Sequence, residues 1–228
     1  MEQDNKGNNK IKRLTLKRVH EGLMVGIKSD GTKYSVRDDR NRFFFPEEWI
    51  KFYNKLRESK KPIFDILINT GARIEEALNI KPKNFDWEKN RLTLRVTKLK
   101  ASKGERVGKP RTFTISSQFA RKMRKHINDN KIMDDELMFK ITKQAVYQMM
   151  RRALKNAEIK DDWNFGLHNI RKTHGNYLKA LEIDSGEICY RLGHDLNTFI
   201  KHYGSPNIFD RKDKIVMIKI LGDVYGFR

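Results

Sequence analysis

Three glycines interrupt this chain where helical stretches meet, and a basic side chain follows each of them closely. They are Gly71-Ala72-Arg73, Gly166-Leu167-His168 with Arg171 three residues further on, and Gly193-His194. A glycine can close a helix in the left-handed conformation. The helix that follows then presents free N–H groups, and that positive end attracts an anion. A cation at the same start adds to the field. The pattern predicts helix junctions that gather basic groups around one anion.

The residues between the glycines supply the fold class. Pro46, Glu47 and Glu48 suit the first turn of a helix carrying Trp49, Phe52, Tyr53 and Leu56 at helical spacing. A second helix is expected from about Pro62 to Asn69. A third carries Ile74, Ala77, Leu78 and Ile80 and stops at Pro82. Leu92, Leu94 and Val96 alternate with Arg91, Thr93 and Arg95, which is strand periodicity, and Phe113 and Ile115 belong to the return strand. A long basic loop, Lys98 to Arg111, joins the two strands. From Ser116 onward the chain reads as helices: one capped by Thr142 and holding Ala145, Val146, Met149, Met150 and Leu154, then four more near 167–181, 184–192, 197–203 and 208–221. Ahead of all this, Leu23 to Val36 alternates weakly around Ser29-Asp30-Gly31, a hairpin turn, and Met1 to Arg13 reads as a disordered charged tail. The expectation is a mostly α protein with a small antiparallel β-sheet, an α+β fold. It divides into a polar tail with a β-ribbon (1–42), a main domain (43–207) and a C-terminal tail helix (208–228).

Composition narrows the partner. The chain has 49 Lys plus Arg against 29 Asp plus Glu, a net charge of +20 over 228 residues. An excess of that size favours a polyanion, nucleic acid above all, over a basic surface kept for solubility. The single cysteine, Cys189, can form neither an internal disulfide nor a thiolate metal site, and its helical setting between Ile188 and Leu192 makes it a small core residue. The polar start, Met1 to Lys10, predicts no signal peptide, and no run approaches the ~20 apolar residues of a membrane span. An intracellular, soluble, cytoplasmic protein with no membrane partner is expected, nucleoid-associated or in the cytoplasm of a host if viral.

Arg73, His168, Arg171, His194 and Tyr203 then stand out as one set. Two guanidinium groups can each donate paired hydrogen bonds to a phosphodiester and offset the charge that grows as phosphorus becomes five-coordinate. Taken singly, each residue has an ordinary reading: a surface arginine, a structural imidazole, a half-buried tyrosine. Together they resemble the tyrosine recombinases, or phage-type integrases. Thr70-Gly71-Ala72-Arg73-Ile74 with Glu76 is similar to the first arginine box of that family, His168-Asn169-Ile170-Arg171-Lys172-Thr173 to the second, and Leu192-Gly193-His194 with Tyr203 nine residues on to the third. The resemblance covers about Phe43 to Tyr203.

That resemblance implies a recombinase catalytic-domain fold with Tyr203 as nucleophile, giving a 3′-phosphotyrosine and a free 5′-hydroxyl. It implies that Arg73 and Arg171 clamp the non-bridging oxygens, that His168 and His194 bond the phosphate, that His168 relays the tyrosine proton, and that Glu76 supports Arg73. It also implies a lysine in the hairpin as general acid. Lys98 is the choice, with Lys100 and Lys103 as alternatives, in a stretch from Arg91 to Arg111 that holds eight basic residues and one acid, Glu105. Because the covalent bond stores the phosphodiester energy, neither ATP nor a metal is required. Glu75 stands where the family often has a small polar residue and Lys172 where it often has His. Only about 45 residues precede the Pro46 helix, where family members usually carry a separate DNA-binding domain.

The partner implied is double-stranded DNA. Lys143, Gln144, Tyr147, Arg151 and Arg152 lie along the helix after Thr142, and the loop from Lys98 to Lys109 reaches backbone or minor groove. The alternative for that helix is an ordinary solvated face. The tail helix either docks on a neighbouring protomer, within a tetramer on DNA, or folds back on its own domain. Rival readings are a type IB topoisomerase, a catalytically silent DNA-binding relative and a basic RNA-binding protein.

Overall fold

The structure, a computed structural model, describes residues 12–15, 24–27, 33–35, 42–95, 110–160, 162–193, 195–197, 199 and 208–223. Among the described residues eight helices carry the fold: α1 (Pro46–Asn54), α2 (Lys61–Thr70), α3 (Ile74–Leu78), α4 (Ser117–Asp129), α5 (Lys143–Asn156), α6 (Leu167–Ala180), α7 (Ser185–Leu192) and α8 (Arg211–Leu221). Two small antiparallel sheets accompany them. One has the order β1 (Lys12–Thr15), β2 (Met24–Ile27), β3 (Lys33–Ser35), the other β4 (Phe85–Asp86), β5 (Arg91–Leu94), β6 (Arg111–Thr114). The protein is thus mostly helical with small antiparallel sheets, as the periodicities predict.

α2 is the centre. Every residue from Ile63 to Thr70 is buried, so this helix is enclosed rather than amphipathic. It packs on α6, α4, α3 and α8. Phe44 fills one end of the core, with ring centroids 4.3 Å from Phe165 and 5.1 Å from Phe52, and Phe52 meets Phe64 of α2 edge-on at 5.3 Å. Arg42 closes this cluster by lying over Phe165 and pairing with Glu48 at 2.6 Å. α6 is buried from Ile170 to Leu178 and lies against α2, which sets the second arginine box beside the first.

Period-2 alternation orients the second sheet. Leu92 and Leu94 face inward while Arg91 stays exposed, and Leu92 pairs with Phe113 and Leu94 with Arg111. Arg111 therefore shares the buried face with Phe113. Expected where the basic loop meets the return strand, it is the first residue of β6 and is buried.

Other boundaries also shift. β1 takes Lys12 and Arg13 out of the stretch read as a tail, because they pair with Ile27 and Gly26; residues 1–11 lie outside the described ones. The second sheet gains a strand, β4, which is too short to show a period in the sequence. α1 ends at Asn54, before Leu56. α3 ends at Leu78, before Ile80, because the Asn79 side chain turns back to bond the Glu75 carbonyl at 2.7 Å. Gly71 and Gly193 are left-handed, with φ of 61° and 59°, but Gly166 is not. It has extended backbone and caps α6, its N–H bonded by the Asn169 side chain at 2.8 Å. α8 begins at Arg211, with Asp210 as its cap, and lies on its own domain against α1, α2 and α6 through Met217 and Leu221. Cys189 is buried. Among the described residues no helix is long and apolar enough to cross a membrane.

Candidate active site

The Arg73 turn is built by Gly71 and Glu76. A side chain at Gly71 would force its neighbours to shift: a Cβ there would lie 2.6 Å from the His174 ring and 2.7 Å from Leu192. With no Cβ, α2 can end in the left-handed conformation against α6 and α7. Arg73 then caps α3 in extended conformation, and the buried Glu76 closes the cap. Its Oε2 accepts the Arg73 backbone N–H at 2.9 Å and its Oε1 accepts Arg73 Nη1 at 3.1 Å. The Arg73 side chain is 29% exposed, so it is held from behind while its guanidinium reaches solvent. Burial alone would raise the Glu76 carboxyl. The Arg73 N–H and the Arg111 and Arg73 guanidiniums outweigh burial and hold it below its usual range. The α3 start is thus already filled by the protein's own carboxylate.

Arg171 lies in the interior of α6 and is 1% exposed. Its Nη1 donates to the Gly71 carbonyl at 2.7 Å and its Nη2 donates to the Leu192 carbonyl. One guanidinium thereby joins the first glycine turn to the last residue of α7. Arg111 makes a second, parallel tie. Its Nη2 donates to Glu76 Oε2 at 3.0 Å and its Nε donates to the Arg191 carbonyl at 3.1 Å. Helix C-termini leave carbonyls without helical partners and carry negative charge, so two arginines suit the end of α7. Gly193 follows, and a Cβ there would stand 2.7 Å from Arg111 Nη1. His174 backs the same junction. Its Nδ1–H donates to the Ile68 carbonyl at 2.8 Å, which fixes the tautomer, and burial with the charges of Arg191 and Arg171 lowers its pKa to about 3.

His168 is exposed on the first turn of α6, one turn before the buried Arg171, so the side they share runs from rim to interior. Lys172 is buried on the same helix. The expected DNA-facing residues of α5 divide. Lys143, Gln144 and Arg152 are exposed, and Lys143 pairs with Glu75 at 2.6 Å, which sets the start of α5 beside the Arg73 turn. Tyr147 is half-buried. The Arg151 guanidinium is held by the Asp162 carbonyl and carboxylate. His194, Tyr203, Lys98, Lys100, Lys103 and Lys109 lie outside the described residues. No cluster of metal-ligating side chains occurs among the described residues.

The geometry therefore brings the turns of Arg73, Arg171 and Leu192-Gly193 together and places His168 at their edge. It adds Arg111, expected only as the joint between the basic loop and the return strand. The signal was there: Arg111 stands two residues before Phe113, on the same face of a strand.

The sequence and the fold are both similar to those of known proteins. The profile described as the phage integrase family matches residues 46–207. Over 173 residues the chain is 28% identical to tyrosine recombinase XerH of Campylobacter jejuni, covering 73% of this chain and 46% of that protein. It thus spans about half the length of that relative. The fold resembles the crystal structure of XerA recombinase with a TM-score of 0.60 at 16% identity, covering 78% of this chain and 64% of the other. It also resembles the catalytic domain of bacteriophage HP1 integrase, with a TM-score of 0.54 at 18% identity, over 72% of this chain and 87% of that domain. XerH bound to its difH substrate matches with a TM-score of 0.58 at 20% identity, over 78% of this chain and 56% of the other.

Proposed function

The chain belongs to the phage integrase family of tyrosine recombinases, and from that premise we propose that it cuts and rejoins double-stranded DNA through a 3′-phosphotyrosine on Tyr203. The observation that carries the reading is the bond from Arg171 Nη1 to the Gly71 carbonyl at 2.7 Å, which draws the second arginine box to within two residues of Arg73. Two guanidiniums then serve one phosphate. In this reading the Tyr203 oxygen attacks phosphorus and its proton passes to His168. The bond between phosphorus and the 5′ oxygen breaks, and Lys98, or else Lys100 or Lys103, donates a proton to that departing oxygen, leaving a 5′-hydroxyl. Arg73, Arg171 and His194 offset the added negative charge on the equatorial oxygens. Rejoining runs the same steps backward from a 5′-hydroxyl, without ATP or a metal. Lys143, Gln144 and Arg152 of α5, with the Lys98 to Lys109 loop, hold the flanking backbone. The working form is a tetramer that pairs two sites.

The test begins with a pool of nicked duplexes of randomised sequence around the nick. Wild-type protein is expected to yield adducts that survive denaturation, and sequencing the captured strand reads out the site. Tyr203→Phe is expected to retain DNA binding and lose every adduct. Adducts persisting in that variant would show that the nucleophile is another residue. DNA binding without adducts in the wild type would favour a silent relative, and adducts without recombinant products a topoisomerase.

A further inference from the structure

We infer that Arg111 is a positioning residue, a latch that ties the lysine-bearing hairpin to two phosphate-binding turns at once. Its consequence for catalysis rests on the recombinase reading; the latch itself rests on geometry. Arg111 opens β6, directly after the hairpin loop, and pairs across the sheet with Leu94 at the loop's other end. Its guanidinium is buried and reaches two places. Toward α3, Nη2 meets Glu76 Oε2 at 3.0 Å, the same oxygen that takes the Arg73 backbone N–H. Toward α7, Nε meets the Arg191 carbonyl at 3.1 Å, three residues before His194. Gly193 leaves the space the guanidinium occupies, since any Cβ there would sit 2.7 Å from Nη1.

A charge is an expensive way to fill a core position. Buried ion pairs are often matched or bettered in stability by apolar residues of the same volume. A core role at the site next to Phe113 would be served by another apolar side chain. What only a guanidinium supplies is a planar fork that donates in two directions. The strand does not depend on it for attachment. Arg191 Nη2 donates to the Thr114 carbonyl at 2.9 Å, and the Tyr190 hydroxyl accepts the Thr112 N–H at 3.2 Å. α7 and β6 are joined without Arg111; the link to Glu76 is what Arg111 adds. A displacement of the hairpin is therefore passed to the Arg73 cap and to the turn before His194 together.

The test compares Arg111→Lys, which keeps the charge but not the fork, with Arg111→Met, which removes both. Substrate is the adduct-forming duplex recovered with the wild type. Both variants are expected to bind that duplex with unchanged affinity and to form adduct more slowly, by roughly tenfold to a hundredfold, by analogy with groups that orient metal ligands. A pH profile separates orientation from mere loss of packing. Glu76 faces Arg73 of its own turn and Arg111 of β6; Arg171 and His174 of α6 and Arg191 of α7 surround the junction, and Glu75 on its own helix is paired with Lys143 of α5. Losing Arg111 moves the Glu76 carboxyl upward, so the acid limb of the adduct rate shifts to higher pH in Arg111→Met and stays near wild type in Arg111→Lys. On DNA-free protein, amide exchange is expected to quicken in both variants at residues 73–77 and 190–193 and to stay unchanged in α1. Wild-type rates in Arg111→Lys, or unchanged exchange at those two turns, would overturn the latch. If Arg111→Met fails to fold, Arg111→Lys decides alone by rate and exchange. If the wild type forms no adduct, the recombinase reading falls, while the exchange measurement still decides whether Arg111 couples the turns.

Discussion

Glu76 accepts from Arg111 and from both the backbone and the guanidinium of Arg73, and these donors hold its carboxyl below the usual 4.5 although burial acts the other way. The sign follows from linkage. A carboxyl whose folded value lies below its unfolded value contributes stability above the unfolded value and loses it as pH falls through the folded one. We expect Glu76→Gln to be less stable at pH 7 by about 3–5 kcal/mol, because it leaves Arg111 buried without its counter-ion. Its stability should also fall less steeply than wild type below the usual carboxylate range. Urea unfolding at pH 7 and across the acid range checks both; parallel curves would contradict the pairing. Asp65 is the opposite case. Burial raises its carboxyl above the usual 3.8, against the pull of Lys122 at 3.2 Å and of the Tyr53 hydroxyl. Its folded value lies above the unfolded one, so ionising it costs stability as pH rises through that window. Lys122 is 43% exposed, so solvent screens the pair to about 0–1 kcal/mol. Asp65→Asn keeps an oxygen for the Tyr53 hydroxyl and removes the buried charge. At pH 7 it is expected to match wild type or exceed it by up to about 1 kcal/mol, measured by the same unfolding; a clear loss would show the ion pair matters more than its desolvation.

At the scale of elements, Gly71 and Gly193 end α2 and α7 in the same left-handed conformation and face the same junction. Gly71→Ala is expected to cost at least about 1–2 kcal/mol from backbone strain alone. It should cost more because the His174 ring 2.6 Å from the new methyl belongs to a buried side chain that cannot swing away. Denaturant unfolding measures this, and wild-type stability would mean that α6 does not press on the turn. Both glycines were legible in the sequence because each stands between two helical periods and glycine adopts the left-handed conformation at the least steric cost. The strands were legible from Leu92, Leu94 and Phe113. Gly166 misled because the same Gly-x-basic spelling serves an extended cap as readily as a left-handed end. The role of Arg111 was hidden by its neighbours: at the end of a run of basic residues a further arginine reads as one more surface charge, and only the two-residue step to Phe113 says core. The partner that makes Arg111 matter, Glu76, is 35 residues away. No local pattern carries a contact of that kind. Nor could spacing foresee that Arg171 spends two donors on the carbonyls of Gly71 and Leu192, since both are backbone groups with no sequence signature.

For the whole molecule, the +20 charge makes affinity for the proposed DNA partner a function of salt. Each phosphate neutralised releases counterions, so the logarithm of affinity falls with the logarithm of salt by about 0.9 per contact. Where the contacts lie can be read from which substitutions flatten that slope. The 2.6 Å pair between Lys143 and Glu75 puts the start of α5 at the Arg73 turn, and Arg152 continues the exposed side of that helix. Lys143→Ala and Arg152→Ala are each expected to lower the slope by about one, uniformly across DNA sequences. Arg151 differs, because its side chain is largely buried and both the carbonyl and the carboxylate of Asp162 hold its guanidinium, whereas the Lys143–Glu75 pair lies open to solvent. Arg151→Ala should change the slope less and cost fold stability instead. Anisotropy titrations of a fluorescent nonspecific duplex over a salt series provide the measurement. Unchanged slopes for Lys143 and Arg152 would remove α5 from the interface and leave the hairpin and its lysines to bear the backbone. An Arg151 effect as large as theirs would mean that DNA competes successfully with Asp162, and that the turn at 162–164 loosens on binding.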